Sequence, residues 1–523
     1  MADSAAAVDP RPVSATLVGT AAAAITVLAL AVLVAWPLLA VLAHGLLTPP
    51  AFAIVVTTLG VALASTLGAL VLAAVLAVAV RGGIPGSRHV LAIGRAGLLL
   101  PPFVVPLAIL VLAARDGGIL PGRPGPTAVV VAQTFAFLPH AFALVMRALA
   151  SVSAEAEQAA ELLGASRWTV LRRVTLALAR PGLVSAACVV LGLCLADVAS
   201  PLLLGGPQPR VLAALIADAT LAATPWAAAV GGAVALAVLT LGVALAGRTW
   251  REAGAPVPLG ATPRVGLSPG AAGRAILAAV AWPVVMVLPA LWVTVPIASL
   301  LGDGPLSFRH WARLFGPSAR PLIGSVALGV ATAVIGAVLA FAVAWVVERR
   351  RGSMAVAAAM LAQAPVAVAG VVGAVGYLAA FGSPAGDLAL VALLVAAWQL
   401  PLLTRVAGEV LAGSDRAREQ AALSLGADRL TTWRRVLLPA LNPAAVWMVA
   451  HGFAAGITAV GTVVVAAGQG RLPLAVTHML ASASTGSVGA ACAVATVLLA
   501  LAGGATLLGR AAAGRETIPT LLA

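Results

Sequence analysis

Glu157-Gln158-Ala159-Ala160-Glu161-Leu162-Leu163-Gly164-Ala165-Ser166-Arg167-Trp168-Thr169-Val170-Leu171-Arg172-Arg173-Val174 recurs, 262 residues later, as Glu419-Gln420-Ala421-Ala422-Leu423-Ser424-Leu425-Gly426-Ala427-Asp428-Arg429-Leu430-Thr431-Thr432-Trp433-Arg434-Arg435-Val436. About half of positions 157–183 match their counterparts without a gap. A match in a low-complexity apolar run would mean little, but this segment is polar and specific, so it reports an internal duplication. Ser153 and Asp415 precede the two copies at equivalent places, and either side chain can cap a helix N-terminus. A short helix through each Gln-Ala-Ala triplet should end at Gly164 or Gly426, since glycine accepts the left-handed conformation that closes a helix. Ser166 and Asp428 then start a second helix carrying Arg172 and Arg173, or Arg434 and Arg435, toward Pro181 and Pro443. Small alanines would let another surface approach the first helix closely, with Glu157, Glu419 and the arginines as a polar rim. Each loop therefore has the makings of a docking element rather than a bare connector.

The surroundings of these loops are those of a membrane protein. Of 523 residues, 62% are hydrophobic and 9% charged, against roughly 25% charged in soluble domains. Apolar runs lie near 17–43, 53–80, 90–113, 127–149, 182–204 and 225–247, then near 275–301, 321–347, 355–380, 387–411, 444–467 and 486–509. Each is long enough to cross a bilayer. The fold class expected is an all-α integral membrane protein of about twelve transmembrane helices, in two fused six-helix modules with pseudo-two-fold symmetry. The first module covers 1–247, a Gly-, Pro- and Arg-rich cytoplasmic linker covers 248–274, and the second module covers 275–523. The repeated loops, at about 150–181 and 412–443, each follow the fourth segment of a module.

The net charge of +14 comes entirely from arginine on the basic side, because the chain has no lysine. The arginines cluster between apolar runs, at Arg81, Arg88 and Arg95, at Arg349, Arg350 and Arg351, and in the two loops. That placement follows the positive-inside rule and puts the loops and both termini in the cytoplasm. It does not fit nucleic-acid binding, which would interleave basic and aromatic residues. The N-terminal apolar run shows no small-residue cleavage site and is expected to stay as the first helix. Cys188, Cys194 and Cys492 all fall in apolar runs and form neither a disulfide framework nor a metal pair.

The loops resemble the EAA motif of ABC importer permeases of the binding-protein-dependent, MetI-like type, in which Glu-Ala-Ala is followed after three residues by Gly. Here Gln158 and Gln420 stand where that family usually has Glu, with Glu157 and Glu419 immediately before them. The family's apolar-Pro pair survives as Leu438-Pro439 and becomes Leu176-Ala177 in the first copy. The resemblance implies that Glu157, Gln158, Ala159, Ala160, Gly164 and Ala165, with Glu419, Gln420, Ala421, Ala422, Gly426 and Ala427, form two ATPase-coupling loops. It implies two copies of a cytoplasmic ATP-binding subunit that hold the ATP and Mg, and an external binding protein that delivers a small solute. The chain itself would be no enzyme and carry no cofactor, since a phosphate-binding Walker A loop needs a lysine. Its place would be the bacterial inner membrane. Double-length fused permeases resemble ferric iron and thiamine importers, with phosphonate and polyamine relatives nearby. The run Ala196-Asp197-Val198-Ala199-Ser200-Pro201 looks most like the ferric-iron branch.

Intramembrane polar residues are costly and invite a functional reading. Asp197 and His451, both in fifth segments, are the candidates for the substrate path. Gln133, His140 and Gln399 in the fourth segments also fall in apolar surroundings, and the sole tyrosine is Tyr377. Asp218, in the stretch 210–220, and its counterpart stretch 471–482 suggest short external helices, with Asp218 solvated. No spacing of His, Asp, Glu or Cys reads as a metal site. A secondary transporter with two six-helix halves would need a charged coupling site within the spans, and it leaves the paired loops unexplained.

Overall fold

The computed structural model describes residues 13–517, apart from residues 47, 351, 423 and 433 and the stretches 115–124, 207–210, 222–225, 253–269, 302–305, 317–318, 383–386, 414–419, 436–437 and 469–471. Every regular element among the described residues is helical. In hydrocarbon there is no water to satisfy backbone N–H and C=O groups, so apolar runs of this length close their hydrogen bonds within helices. Among the described residues nine helices are long and apolar enough to cross a membrane, or up to twelve if each bent pair is one span. Spans 1 to 6 are Gly19–Gly45, Phe52–Arg81, the pair Ser87–Leu99 with Val104–Ala113, Pro126–Ala150, Arg167–Ala196 and Trp226–Trp250. Spans 7 to 12 are Ala271–Ser299, Arg320–Arg349, the pair Ser353–Ala367 with Gly370–Phe381, Leu388–Ala412, the pair Leu441–Thr458 with Val460–Ala467, and Val488–Ala513. The expected linker falls largely within 253–269, outside the described residues.

The third span of each half is not the straight rod that its apolar run suggested. Span 3 bends by 99° and span 9 by 114°. Pro101 and Pro102 follow Leu100, which is extended at φ −96°, ψ 134°, and Pro365 lies in a short 3₁₀ turn that ends at the extended Val368. Proline supplies no N–H and disfavours helical geometry in the residue before it. Broken backbone at membrane depth is tolerated where protein covers it, and Phe103, Val104 and Leu107 after the first break, like Val371 and Val372 after the second, are buried.

The bends let the two halves interlock. The second limb of span 3 packs on spans 7 and 12 of the other half, while that of span 9 packs on spans 1 and 6. The Tyr377 hydroxyl donates to the Leu33 carbonyl at 2.8 Å. Gly376 lies so close to Pro37 that a Cβ would sit 2.6 Å from its carbonyl oxygen. On the other side, the Trp282 indole donates to the Pro85 carbonyl at 3.2 Å. One further pair of contacts shows the pseudo-symmetry directly. The Thr58 hydroxyl of span 2 accepts from the Leu212 N–H at 2.9 Å, and the Ser325 hydroxyl of span 8 accepts from the Ala475 N–H at 2.8 Å. Each hydroxyl thereby caps one of the short helices Leu212–Leu221 and Ala475–Ser484.

Candidate functional site

The first loop is built as its local chemistry directs. The Ser153 hydroxyl accepts from the Ala156 N–H at 3.2 Å and starts the helix Ala154–Leu162. That helix closes at Gly164, whose φ is +83°. Gly164 N–H donates to the Glu161 carbonyl at 2.9 Å and Ala165 N–H to the Ala160 carbonyl at 3.1 Å. The Ser166 hydroxyl then accepts from the Thr169 N–H at 3.3 Å and leads into span 5. The second copy closes by the same bond, Ala427 N–H to the Ala422 carbonyl at 3.0 Å, around Gly426 at φ +85°. The Asp428 carboxylate accepts from the Thr431 N–H at 3.2 Å. Asp415 and Glu419 lie outside the described residues. A Cβ at Gly164 or Gly426 would meet nothing within 4 Å, so these glycines are required by backbone conformation and not by space.

The two corners present the same side chain. Leu163 is 89% exposed and Leu425, its counterpart, 88% exposed; Leu162 and Trp168 add to the apolar tip of the first loop. Gln158 and Ala159 are exposed beside them, as are Gln420 and Ala421, while Ala160, Ala165, Ala422 and Ala427 are half-buried.

Glu157 differs from the expected rim. It is 1% exposed and faces back into the membrane domain. Its Oε2 accepts from Arg81 Nη2 and its Oε1 from the Thr175 hydroxyl, both at 2.5 Å. Arg81 ends span 2, and Thr175 ends the wide π-helical turn Val170–Thr175 near the start of span 5. The carboxylate thus ties the loop helix to two spans. The sequence showed Arg81 only as one of the clustered loop charges; its partner lies 76 residues away, a separation with no local signature.

Asp197 is also a structural joint. Span 5, expected to run through 182–204, stops at Ala196 and resumes as the short helix Ala199–Leu204. Asp197 Oδ1 accepts from the N–H groups of Ala199 and Ser200, at 3.1 and 3.4 Å. Its Oδ2 accepts from Gln133 Nε2 at 3.2 Å. That amide also donates to the Cys194 carbonyl at 3.1 Å and accepts from the Ser65 hydroxyl at 2.9 Å. His451 stands elsewhere, on Leu441–Thr458 two turns before that helix ends, with its ring stacked on Trp447 at 5.0 Å and 4°. The residue of span 11 that meets the Asp197 break is Gly461. A Cβ there would lie 2.8 Å from Val198 Cγ2, so the breaks of spans 5 and 11 touch where the halves meet. Asp218, expected in solvent, is half-buried at a cavity of about 230 Å³ that is also lined by Val61, Pro201, Gly205 and Gly206. Among the described residues no three His, Cys, Asp or Glu side chains could hold a metal ion.

The contact at Gly461 carries a direct expectation. Gly461→Val overfills the seam, at a cost of about 1–3 kcal/mol, and should lower the unfolding midpoint of the purified chain. Adding Val198→Ala should restore most of the loss. A double variant no more stable than Gly461→Val would show that the side chain is accommodated elsewhere.

The two loop corners, closed alike and tipped alike, mark two related halves of one membrane bundle. Residues 69–250 match the family described as "Binding-protein-dependent transport system inner membrane component", a stretch that includes the first loop, the Arg81–Glu157 pair and the Asp197 joint. Over those residues the chain is similar to this binding-protein-dependent, MetI-like class, and its apolar helices are those of a multi-pass membrane protein. It is 23% identical over 436 residues to the ferric transport system permease protein FbpB of Actinobacillus pleuropneumoniae, covering 77% of this chain and 62% of that relative. It is 24% identical over 395 residues to a putative ferric transport system permease protein FbpB 1 of Haemophilus influenzae, covering 70% and 62%. A probable ABC transporter permease protein y4fN of Sinorhizobium fredii is 27% identical over 344 residues, covering 61% and 60%. The chain therefore spans about three-fifths of the length of the curated relatives it matches.

Proposed function

We propose that this chain is the membrane-spanning part of an ATP-driven ABC importer and that its solute is ferric iron handed over by an external binding protein. The observation that carries the reading is the matched pair of exposed leucines, Leu163 and Leu425, on corners closed by the same hydrogen bond. Apolar side chains outside the bilayer need a partner surface. Two such tips suit two copies of a cytoplasmic ATP-binding subunit, which would hold the ATP and Mg. Binding of nucleotide by that pair would bias the loops between two arrangements through differential contacts. The buried Glu157–Arg81 and Glu157–Thr175 bonds would carry the first loop's displacement into spans 2 and 5. The touching breaks of spans 5 and 11 are the natural place for the path to open. On this reading the loops and both termini face the cytoplasm, and metal recognition belongs to the binding protein. Ferric iron is favoured over thiamine, phosphonate or polyamine by the names of the FbpB relatives.

The test is uptake of labelled ferric iron and labelled thiamine by cells with this chain deleted and then restored. Gly164→Val with Gly426→Val should abolish uptake while the protein still reaches the membrane. A left-handed residue with a Cβ costs roughly 1–2 kcal/mol at each corner, which distorts the tips without unfolding the bundle. Leu163→Asp with Leu425→Asp, which leaves the backbone alone, should give the same loss. Undiminished uptake in both variants would remove the docking role. Loss of thiamine uptake alone would replace iron by thiamine, and no change in either solute would move the search to phosphonates and polyamines.

A further inference from the structure

The two halves differ in one element that the duplication does not explain. Spans 1 and 2 are joined by residues 46–51 alone, whereas the matching connection between spans 7 and 8 carries an additional helix, Arg309–Phe315. By the count of spans it lies on the face opposite the two loops.

This helix is held firmly on one side. The Trp311 indole donates to the Ser299 hydroxyl at 3.2 Å, and Ser307 N–H donates to the Leu300 carbonyl at 2.7 Å. Leu314 is buried, and His310 packs so closely on Gly489 that a Cβ there would be 2.6 Å from its Nε2. At about 100° per residue, positions 310 and 314 form the face against the ends of spans 7 and 12. Phe308, Ala312 and Phe315 form a second face, and Arg309 and Arg313 a third. The second face is bare: Phe308 is 71% exposed and Phe315 62%, with Leu306 at 72% just before them. The chain leads into this face from Val293 and Ile297 and out of it to Ile323 and Val330, exposed positions of spans 7 and 8 that face lipid. Exposed apolar side chains thus flank the short helix in sequence on both span 7 and span 8. Arg309, Arg313 and Arg320 are exposed on the side where the positive-inside rule does not place them.

We infer that the helix Arg309–Phe315 is an interfacial anchor lying in the headgroup layer of the leaflet opposite the two loops. Phe308, Ala312 and Phe315 face the acyl chains, and Arg309 and Arg313 face the phosphates of anionic lipid. An apolar face beside a cationic one is the pattern of helices that lie in the membrane plane. A guanidinium fork pairs well with phosphate oxygens.

The test uses the full chain in vesicles of phosphatidylethanolamine and phosphatidylglycerol, with Cys188→Ala to remove the half-buried thiol. A nitroxide is attached at Ala312→Cys, at Val330→Cys as a lipid-facing control, and at Ser484→Cys as an exposed control on the same side. Collision with oxygen relative to a water-soluble nickel chelate should be several-fold higher at position 312 than at 484, and close to that at 330. A ratio at 312 equal to that at 484 would overturn the anchor and leave the face to a soluble protein. A second measurement addresses the phosphates. Replacing phosphatidylglycerol by phosphatidylcholine should lower the unfolding midpoint of the unlabelled chain, and should lower that of Arg309→Gln with Arg313→Gln by less. An equal shift in both proteins would overturn the assignment of the arginines to anionic lipid.

Discussion

Arg81→Ala and Glu157→Ala should each destabilise the chain by about 3–5 kcal/mol, the cost of removing one partner from a buried ion pair. Glu157→Ala should be the worse of the two. It leaves a guanidinium that is 3% exposed and whose Nε and Nη1 already have no hydrogen-bond partner. Replacing both residues by methionine should recover much of the stability, because a well-packed apolar pair is often as favourable as a buried ionic one. The recovered protein should still fail to transport, since the loop helix is no longer tied to span 2. Thermal unfolding of wild type, the two alanine variants and their double alanine combination gives the coupling energy as a double-mutant cycle, and uptake in these and in the methionine pair separates stability from coupling. An Arg81→Ala protein with an unchanged midpoint would mean that the pair is solvated in the working protein. Leu437 occupies the place in the second copy that Thr175 has in the first, and a leucine side chain has no hydroxyl to donate. The two loops should therefore differ in how firmly they are tied to their spans.

Asp197→Ala is expected to cost about 3 kcal/mol, because it strands the Gln133 amide and the N–H groups of Ala199 and Ser200 in a buried place. Asp197→Asn should lose less. Its Oδ1 can still cap the short helix Ala199–Leu204, but its NH₂ faces the Gln133 NH₂. Gln133 cannot reverse its amide without giving up the Ser65 hydroxyl and the Cys194 carbonyl. In both variants transport and thermal stability should fall together, with Asn between wild type and Ala. Transport lost at an unchanged unfolding midpoint would instead place the carboxylate in the solute path.

The first loop and the glycine corner of the second were legible in detail because their determinants are local. A hydroxyl that caps, two small residues and a glycine that turns left-handed all act within a single helical turn of one another. The prediction of a corner at Gly164 therefore needed nothing beyond the chain between Ser153 and Ser166. The spans were legible for a similar reason, since a run of twenty or more apolar residues has one stable form in hydrocarbon. The breaks were only partly legible. Pro101-Pro102 and Pro365 signal that a helix cannot continue, but they do not say whether the chain resumes in line or turns by 99° or 114°. Asp197 was visible as an expensive residue in an apolar run, yet its partner Gln133 could not be told from Gln399 by sequence.

From sequence alone came the class of structure, the repeat and the shape of the loop corners, all of which follow from short-range backbone chemistry and the apolar length of each run. Only the tertiary structure turned Glu157 inward to Arg81, joined Asp197 to Gln133, and set Val198 against Gly461. It also interlocked the halves through the bent limbs of spans 3 and 9. Those contacts join residues tens to hundreds of positions apart. Which of several apolar helices lie side by side is decided by side-chain packing across the whole bundle, and no local pattern of residues encodes it.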